Sequence, residues 1–221
     1  MHGPSARRRF ALAVATIAWS ALVLQYGLLI AATWKGIGPW LGTLRFLSYF
    51  TILGNLAVAL TTTAAARLGE GAWHRFFASP RVAGGVAVCI AIVCAIYHVL
   101  LASTWSPRGL QLVVDVALHY VVPALYLGWW VGCVPHGRLQ WSDPLRVLSF
   151  PVAFLAWSLL RGAWVHEYPY PFIDVDALGL ARVLRNAGAI AVLFVVAGLL
   201  LVALDRFALR AAAEPSRVRA E

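Results

Sequence analysis

Apolar residues fill this chain in six long blocks, about 10–33, 44–66, 82–102, 112–134, 145–165 and 185–204, each parted from the next by a short polar link. A helix needs roughly 20 mostly apolar residues to cross the hydrocarbon core of a bilayer. The pattern predicts an all-α, polytopic membrane protein: a bundle of about six transmembrane helices forming one domain over residues 10–207. Residues 1–9 are read as a cytoplasmic N-terminus and 208–221 as a cytoplasmic basic tail, disordered from Ala211.

Glycine and proline mark the links. Gly36-Ile37-Gly38-Pro39 parts the first two helices and Ser106-Pro107-Arg108-Gly109 the third and fourth. Ser142-Asp143-Pro144 reads as an N-cap with Pro at the first helical position. The longest link, from His166 to about Leu184, contains Tyr168-Pro169-Tyr170-Pro171-Phe172. Two prolines so close forbid a regular helix and favour an extended, aromatic-rich segment. Trp34, Trp40, Trp105, Trp164, Tyr168 and Tyr170 all fall near one boundary, the positions of an interfacial aromatic belt.

Composition agrees with this pattern and charge orients it. At 62% hydrophobic and 12% charged residues the chain is too apolar for a soluble globule. An excess of 18 Lys+Arg over 9 Asp+Glu would suggest nucleic acid in a soluble protein. Here the basic residues flank the apolar runs, so they serve anchoring and topology, and no nucleic-acid partner is expected. With the N-terminus inside, the cytoplasmic side holds Arg7, Arg8, Arg9, Arg67, Arg75, Arg81, Arg138, Arg146, Arg206, Arg210, Arg217 and Arg219. The other side holds Lys35, Arg45, Arg108, Arg161, Arg182 and Arg185. Twelve against six predicts both termini in the cytoplasm of a bacterial inner membrane. The Arg-led first run resembles a signal peptide, but it is long and lacks a clear small-x-small site, so an uncleaved first helix is expected. Cys89, Cys94 and Cys133 have neither the number nor the spacing of a disulfide scaffold or zinc site, and read as small packing residues.

Ionisable groups inside a span are costly, so each demands a partner or a purpose. They are few: Asp115 and His119 in the fourth helix, His98 in the third and Arg161 near the end of the fifth. Ser48, Thr51 and Asn55 in the second helix and Asn186 at the start of the sixth keep them company. Thr51 and His119 each lie seven residues into helices that enter from outside, about 10 Å down at 1.5 Å per residue. His98 and Arg161 lie about 6 Å from their outer ends. The group gathers in one leaflet and predicts a polar cavity opening outward. Asp115 and His119 share a face at i,i+4, where a carboxylate fixes the tautomer of an imidazole and raises its basicity. Pro123 cannot donate to the carbonyl of His119, which predicts a kink or a freed acceptor there. Taken singly, Thr51 could bond back along its own helix, and each histidine could be a packing residue.

The stretches Arg45-Phe-Leu-Ser-Tyr-Phe-Thr-Ile-Leu-Gly-Asn55, Asp115-Val-Ala-Leu-His-Tyr-Val-Val-Pro123 and Glu167-Tyr-Pro-Tyr-Pro-Phe-Ile-Asp174 resemble the bacterial "predicted six-transmembrane" family over about residues 10–207. That family is similar to the eukaryotic androgen-induced and androgen-dependent membrane proteins, which are intramembrane threonine hydrolases of fatty acid esters of hydroxy fatty acids. The resemblance implies a Thr nucleophile at Thr51 and a His base at His119, with membrane lipid as surroundings and a lipid or amphiphilic ester as substrate. Ser48, which directly follows Phe46-Leu47, competes with Thr51 for the nucleophile's place. Asp115 as the group orienting His119 is read from spacing alone. Asn55, His98 and Arg161 are candidate oxyanion or substrate-binding groups, and Arg161 could equally pair with Asp115. No cofactor is expected. Three other readings stay open: a small proton-coupled transporter using the same Asp/His/Arg cavity, a non-enzymatic membrane protein, and a metal site on His98, His119 and Asp115.

Overall fold

The computed structural model describes residues 4–67 and 69–218, with side chains as far as Leu209. Regular structure among the described residues is helical throughout: α1 (Pro4–Thr33), α2 (Gly38–Phe46), α3 (Phe50–Ala66), α4 (Ala72–Phe77), α5 (Pro80–Ile96), α6 (Leu110–Val116), α7 (Val122–Cys133), α8 (Asp143–Val147), α9 (Ser149–Val165), α10 (Val175–Leu178) and α11 (Leu180–Val218). Five stretches are long and apolar enough to cross a membrane: Pro4–Thr33, Pro80–Leu101, Leu110–Cys133, Asp143–Val165 and Leu180–Leu209. A sixth arises when α2 and α3 are taken together. The protein is a membrane-spanning helical bundle.

The second span departs from the single helix expected over 44–66. α2 and α3 meet at 74° across residues 47–49. Neither Gly nor Pro stands there. Ser48 Oγ instead donates to Leu44 O at 2.7 Å, and it accepts from Trp157 Nε1 at 3.2 Å. A serine bonding back to the carbonyl four residues earlier bends a helix, and the tryptophan holds it in that state. The consequence is a helix N-terminus well inside the bundle, beginning at Phe50.

Two other spans carry a π turn at the same level, Tyr97–Leu101 after α5 and Ala117–Val121 between α6 and α7. The second has a cause in sequence. Pro123 offers no N–H to His119 O, and the backbone widens so that Val122 N reaches Ala117 O. The first, closed by Ala102 N to Tyr97 O at 2.8 Å, has no proline to explain it.

Small residues let α1 lie close along α3: Ala11, Ala15, Ala18 and Ala21 are buried together with Val14. α11 meets α8 at Gly198, where an added Cβ would come within 2.8 Å of Pro144. The link 166–179 folds back over the bundle rather than away from it. Tyr168 lies against Gly162 of α9, where an added Cβ would sit 2.0 Å from its ring. A 3-10 turn follows at Pro171–Ile173, and Asn186 Nδ2 donates to Phe172 O at 2.9 Å. The tail differs from expectation: the backbone of α11 stays helical to Val218 where disorder was expected from Ala211, and residues 219–221 lie outside the described residues.

Candidate functional site

Breaking the second span leaves Thr51 as the second residue of α3, with no helical turn before it to bond back to. Its hydroxyl faces across the bundle instead. Thr51 Oγ1 lies 3.3 Å from His119 Nε2 and 3.4 Å from the Tyr170 hydroxyl. Its backbone N–H, one of the first-turn donors that a helix cannot satisfy internally, donates to Tyr170 Oη at 3.2 Å.

His119 sits in the π turn with its ring fixed on three sides. Nδ1 is 2.9 Å from Asp115 O and 3.3 Å from Asp115 Oδ1. With both acceptors at Nδ1, the proton belongs there and Nε2 keeps the lone pair that faces Thr51. Tyr97 stacks on the imidazole, centroids 3.6 Å apart and planes 13° from parallel. Asp115, 4% exposed, accepts a hydrogen bond from Tyr97 Oη, which in turn accepts from Trp105 Nε1 at 3.3 Å. Trp105, Tyr97, Asp115, His119 and Thr51 thus stand in a row. Asp115 Oδ2 has the Tyr97 donor, while Oδ1 has only the nearby His119 Nδ1, whose hydrogen bond goes to the Asp115 backbone carbonyl.

Two cavities meet at this chain. A polar one, with about 1240 Å³ of empty space partly open to the outside, is lined by Gln25, Arg45, Trp105, Asp115 and His119. An apolar one, about 780 Å³ on the same measure, lies between α3, α5, α9 and α11 and includes Phe50, Ile92, Phe154 and Phe194. Thr51, Tyr97, Leu101 and Tyr170 line both.

The remaining predicted residues stand elsewhere, each for a visible reason. Ser48 is 1% exposed with its proton on Leu44 O and its oxygen under Trp157, and it lines neither cavity. Asn55 is fully buried and spends both amide hydrogens on carbonyls, Thr51 O at 2.8 Å and Leu118 O at 3.1 Å. It ties α3 to the π turn and has no donor left for an oxyanion. His98 is turned to the outside, where Nδ1 meets Tyr120 Oη at 3.2 Å. The turn that brings Tyr97 inward carries its neighbour away, so His98, His119 and Asp115 do not gather. Arg161 does not pair with Asp115: its Nη2 lies 3.1 Å from Glu167 Oε2 and its Nη1 donates to Glu167 O at 3.2 Å. Glu167 also holds Arg45, with Nε to Oε1 at 2.6 Å. One carboxylate thus stands between two guanidiniums, of which Arg45 lines the polar cavity.

Residue-type reasoning passed over Tyr97, Tyr170 and Arg45. Tyr97 carries no charge and stands beside the more conspicuous His98, although a membrane carboxylate such as Asp115 calls for a donor. Tyr170 was read with the aromatic belt. Trp34, Trp40 and Trp164 do face outward, whereas Tyr168 and Tyr170 turn into the bundle. The pair of prolines gives no signal that separates them, since what seats the link is the close approach of Tyr168 to Gly162. Comparison of the chain with protein-family models, curated proteins and solved structures finds no match.

Proposed function

We propose that the chain is an intramembrane hydrolase of lipid esters, of the fatty acid ester of hydroxy fatty acid type, in a bacterial inner membrane. In this reading Thr51 is the nucleophile, His119 the general base and Asp115 the group that orients it. The observation that carries the reading is the 3.3 Å approach of Thr51 Oγ1 to the unprotonated nitrogen of an imidazole whose other nitrogen faces a carboxylate. A hydroxyl is a weak nucleophile near neutral pH, and an adjacent oriented base is what activates it.

The chemistry follows from the arrangement. Thr51 Oγ attacks the ester carbonyl while Nε2 of His119 takes its proton. The tetrahedral intermediate collapses, the C–O bond to the alcohol breaks, and the imidazolium returns that proton to the leaving oxygen. Water then attacks the acyl-Thr51 carbonyl while His119 takes its proton. The bond from the acyl carbon to Thr51 Oγ breaks, the imidazolium returns the proton to Oγ, and the acid leaves. Asp115 stabilises the imidazolium formed in each half.

Two further features support an ester with one long apolar arm. The scissile group would sit at Thr51, where the cavities meet, with a fatty chain in the apolar cavity and the polar half toward Arg45. The resemblance of the Thr51, His119 and Tyr170 stretches to the predicted six-transmembrane family, itself similar to the eukaryotic intramembrane threonine hydrolases, points the same way. The excess of Arg and Lys at the opposite end supports a site that faces the outer leaflet.

Hydrolysis of long-chain esters by purified protein in liposomes tests this. Wild type should turn over, and Thr51→Ala and His119→Ala should each lose about 10³-fold or more in kcat while staying folded. Turnover untouched by Thr51→Ala, or no ester cleaved by wild type, would overturn the assignment.

A further inference from the structure

A tetrahedral oxyanion needs a preorganised donor, and none of the three candidates read from sequence is free to provide one. Asn55 has spent its amide hydrogens, Arg161 is locked on Glu167, and His98 faces outward. The donor has to come from elsewhere on the wall around Thr51.

We propose that Tyr170 is a catalytic residue of this site, donating its phenolic hydrogen to the oxyanion that forms when Thr51 attacks an ester. The inference rests on the hydrolase reading and adds the group that completes it. Proton bookkeeping carries the point. His119 holds its proton on Nδ1, so the Thr51 hydrogen goes to Nε2, and Thr51 Oγ1 has only lone pairs to offer Tyr170 3.4 Å away. In that contact Tyr170 is therefore the donor. Its oxygen meanwhile accepts from the Thr51 N–H at 3.2 Å. A hydroxyl that accepts from a helix N-terminus is a stronger donor on its own hydrogen.

When Oγ commits its lone pair to the carbonyl carbon, the Tyr170 hydrogen loses that acceptor. The carbonyl π pair moves onto oxygen in the same step, and the new oxyanion next to Oγ takes the hydrogen bond. The proton stays on Tyr170 throughout, so nothing is gained or lost at the phenol. On collapse the carbonyl reforms, and once water has released the acid the hydrogen bond returns to the Thr51 hydroxyl.

The ring is held for this task. It stacks on Phe172 with centroids 5.2 Å apart and planes 6° from parallel, and meets Tyr49 edge-on at 6.2 Å. Burial pushes the Tyr170 phenol up from its ordinary range, so the donor keeps its proton well into the alkaline range. The titratable groups facing it are Tyr49 across the ring edge and His119 beyond Thr51.

The test compares Tyr170→Phe with wild type on a long-chain ester in liposomes, with Thr51→Ala alongside. The expected result is a fall in kcat of about 10²–10³-fold with KM changed little, the loss seen when one oxyanion donor is removed. If hydrolysis depends on Thr51 and Tyr170→Phe turns over at the wild-type rate, this inference fails and the hydrolase reading stands. Activity that ignores Thr51 sinks both. A second variant, with 3,5-difluorotyrosine at position 170, keeps ring and hydrogen bond but makes the phenol more acidic. The alkaline limb of kcat should then move to lower pH. A limb that stays put with difluorotyrosine overturns the donor role.

Discussion

Thr51 and Ser48 stand three residues apart, and what separates them chemically is the partner of each hydroxyl. Ser48 gives its proton to a carbonyl of its own helix and sits beneath an indole; Thr51 faces an imidazole nitrogen with a lone pair. Proposing Thr51 over Ser48 has a direct consequence. Ser48→Ala should turn over ester at the wild-type rate and lose about 1 kcal/mol of stability from the missing hydrogen bonds. Turnover of Ser48→Ala in the liposome assay and its thermal unfolding check the two halves together. A loss of activity as deep as that of Thr51→Ala would move the nucleophile to Ser48. Asp115 and Tyr97 belong to the same scale, because a carboxylate in the membrane is costly without donors. The Tyr97 phenol supplies one to Oδ2, while the His119 ring stands 3.3 Å from Oδ1.

At the scale of elements, the site exists because three helices are irregular at one level. α3 starts inside the bundle and two π turns face it, so Thr51, Tyr97 and His119 converge. Bilayer thickness made the six spans legible, since apolar blocks of that length have one physical use. Counting 1.5 Å per residue along an unbroken helix from residue 44 set Thr51 and His119 at one depth. The two do meet, but with Thr51 as the second residue of α3 beyond a 74° bend. Pro123 announced a disturbance next to His119. The break at residues 47–49 and the π turn at Tyr97 had no such marker, because both depend on side-chain partners from distant helices. Tyr170 escaped for the same reason: its place follows from Gly162, whose missing Cβ gives Tyr168 room against α9 and brings the link down over the cavities. Gly162→Ala should push Tyr168 and the link away, raising KM and lowering kcat about 10-fold or more, as a misplaced site group costs. Kinetics of Gly162→Ala that match wild type would mean that the link does not position the site.

Across the whole molecule the two ends are built differently. The site end opens into two cavities, while the opposite end is closed by charge. Asp205, 1% exposed, accepts from Leu139 N at 3.0 Å and meets His136 Nδ1 at 3.1 Å. Asp143 takes Arg146 at 2.9 Å with Arg81 near, and Arg206 lies over Trp141 at 5.2 Å. The core between the two ends is largely apolar, with Val58, Ala59, Ile90, Val122 and Tyr126 all buried. Asp205→Ala should leave the Leu139 N–H buried without its acceptor and cost about 1–3 kcal/mol, read as a lower unfolding temperature in detergent with kcat preserved. The hydrolase reading as a whole comes down to where a covalent adduct forms. Wild-type protein treated with a long-chain fluorophosphonate and mapped by peptide mass spectrometry should carry the adduct on Thr51, and His119→Ala should carry almost none. An adduct on Ser48, or labelling of Thr51 that His119→Ala leaves unchanged, would contradict it.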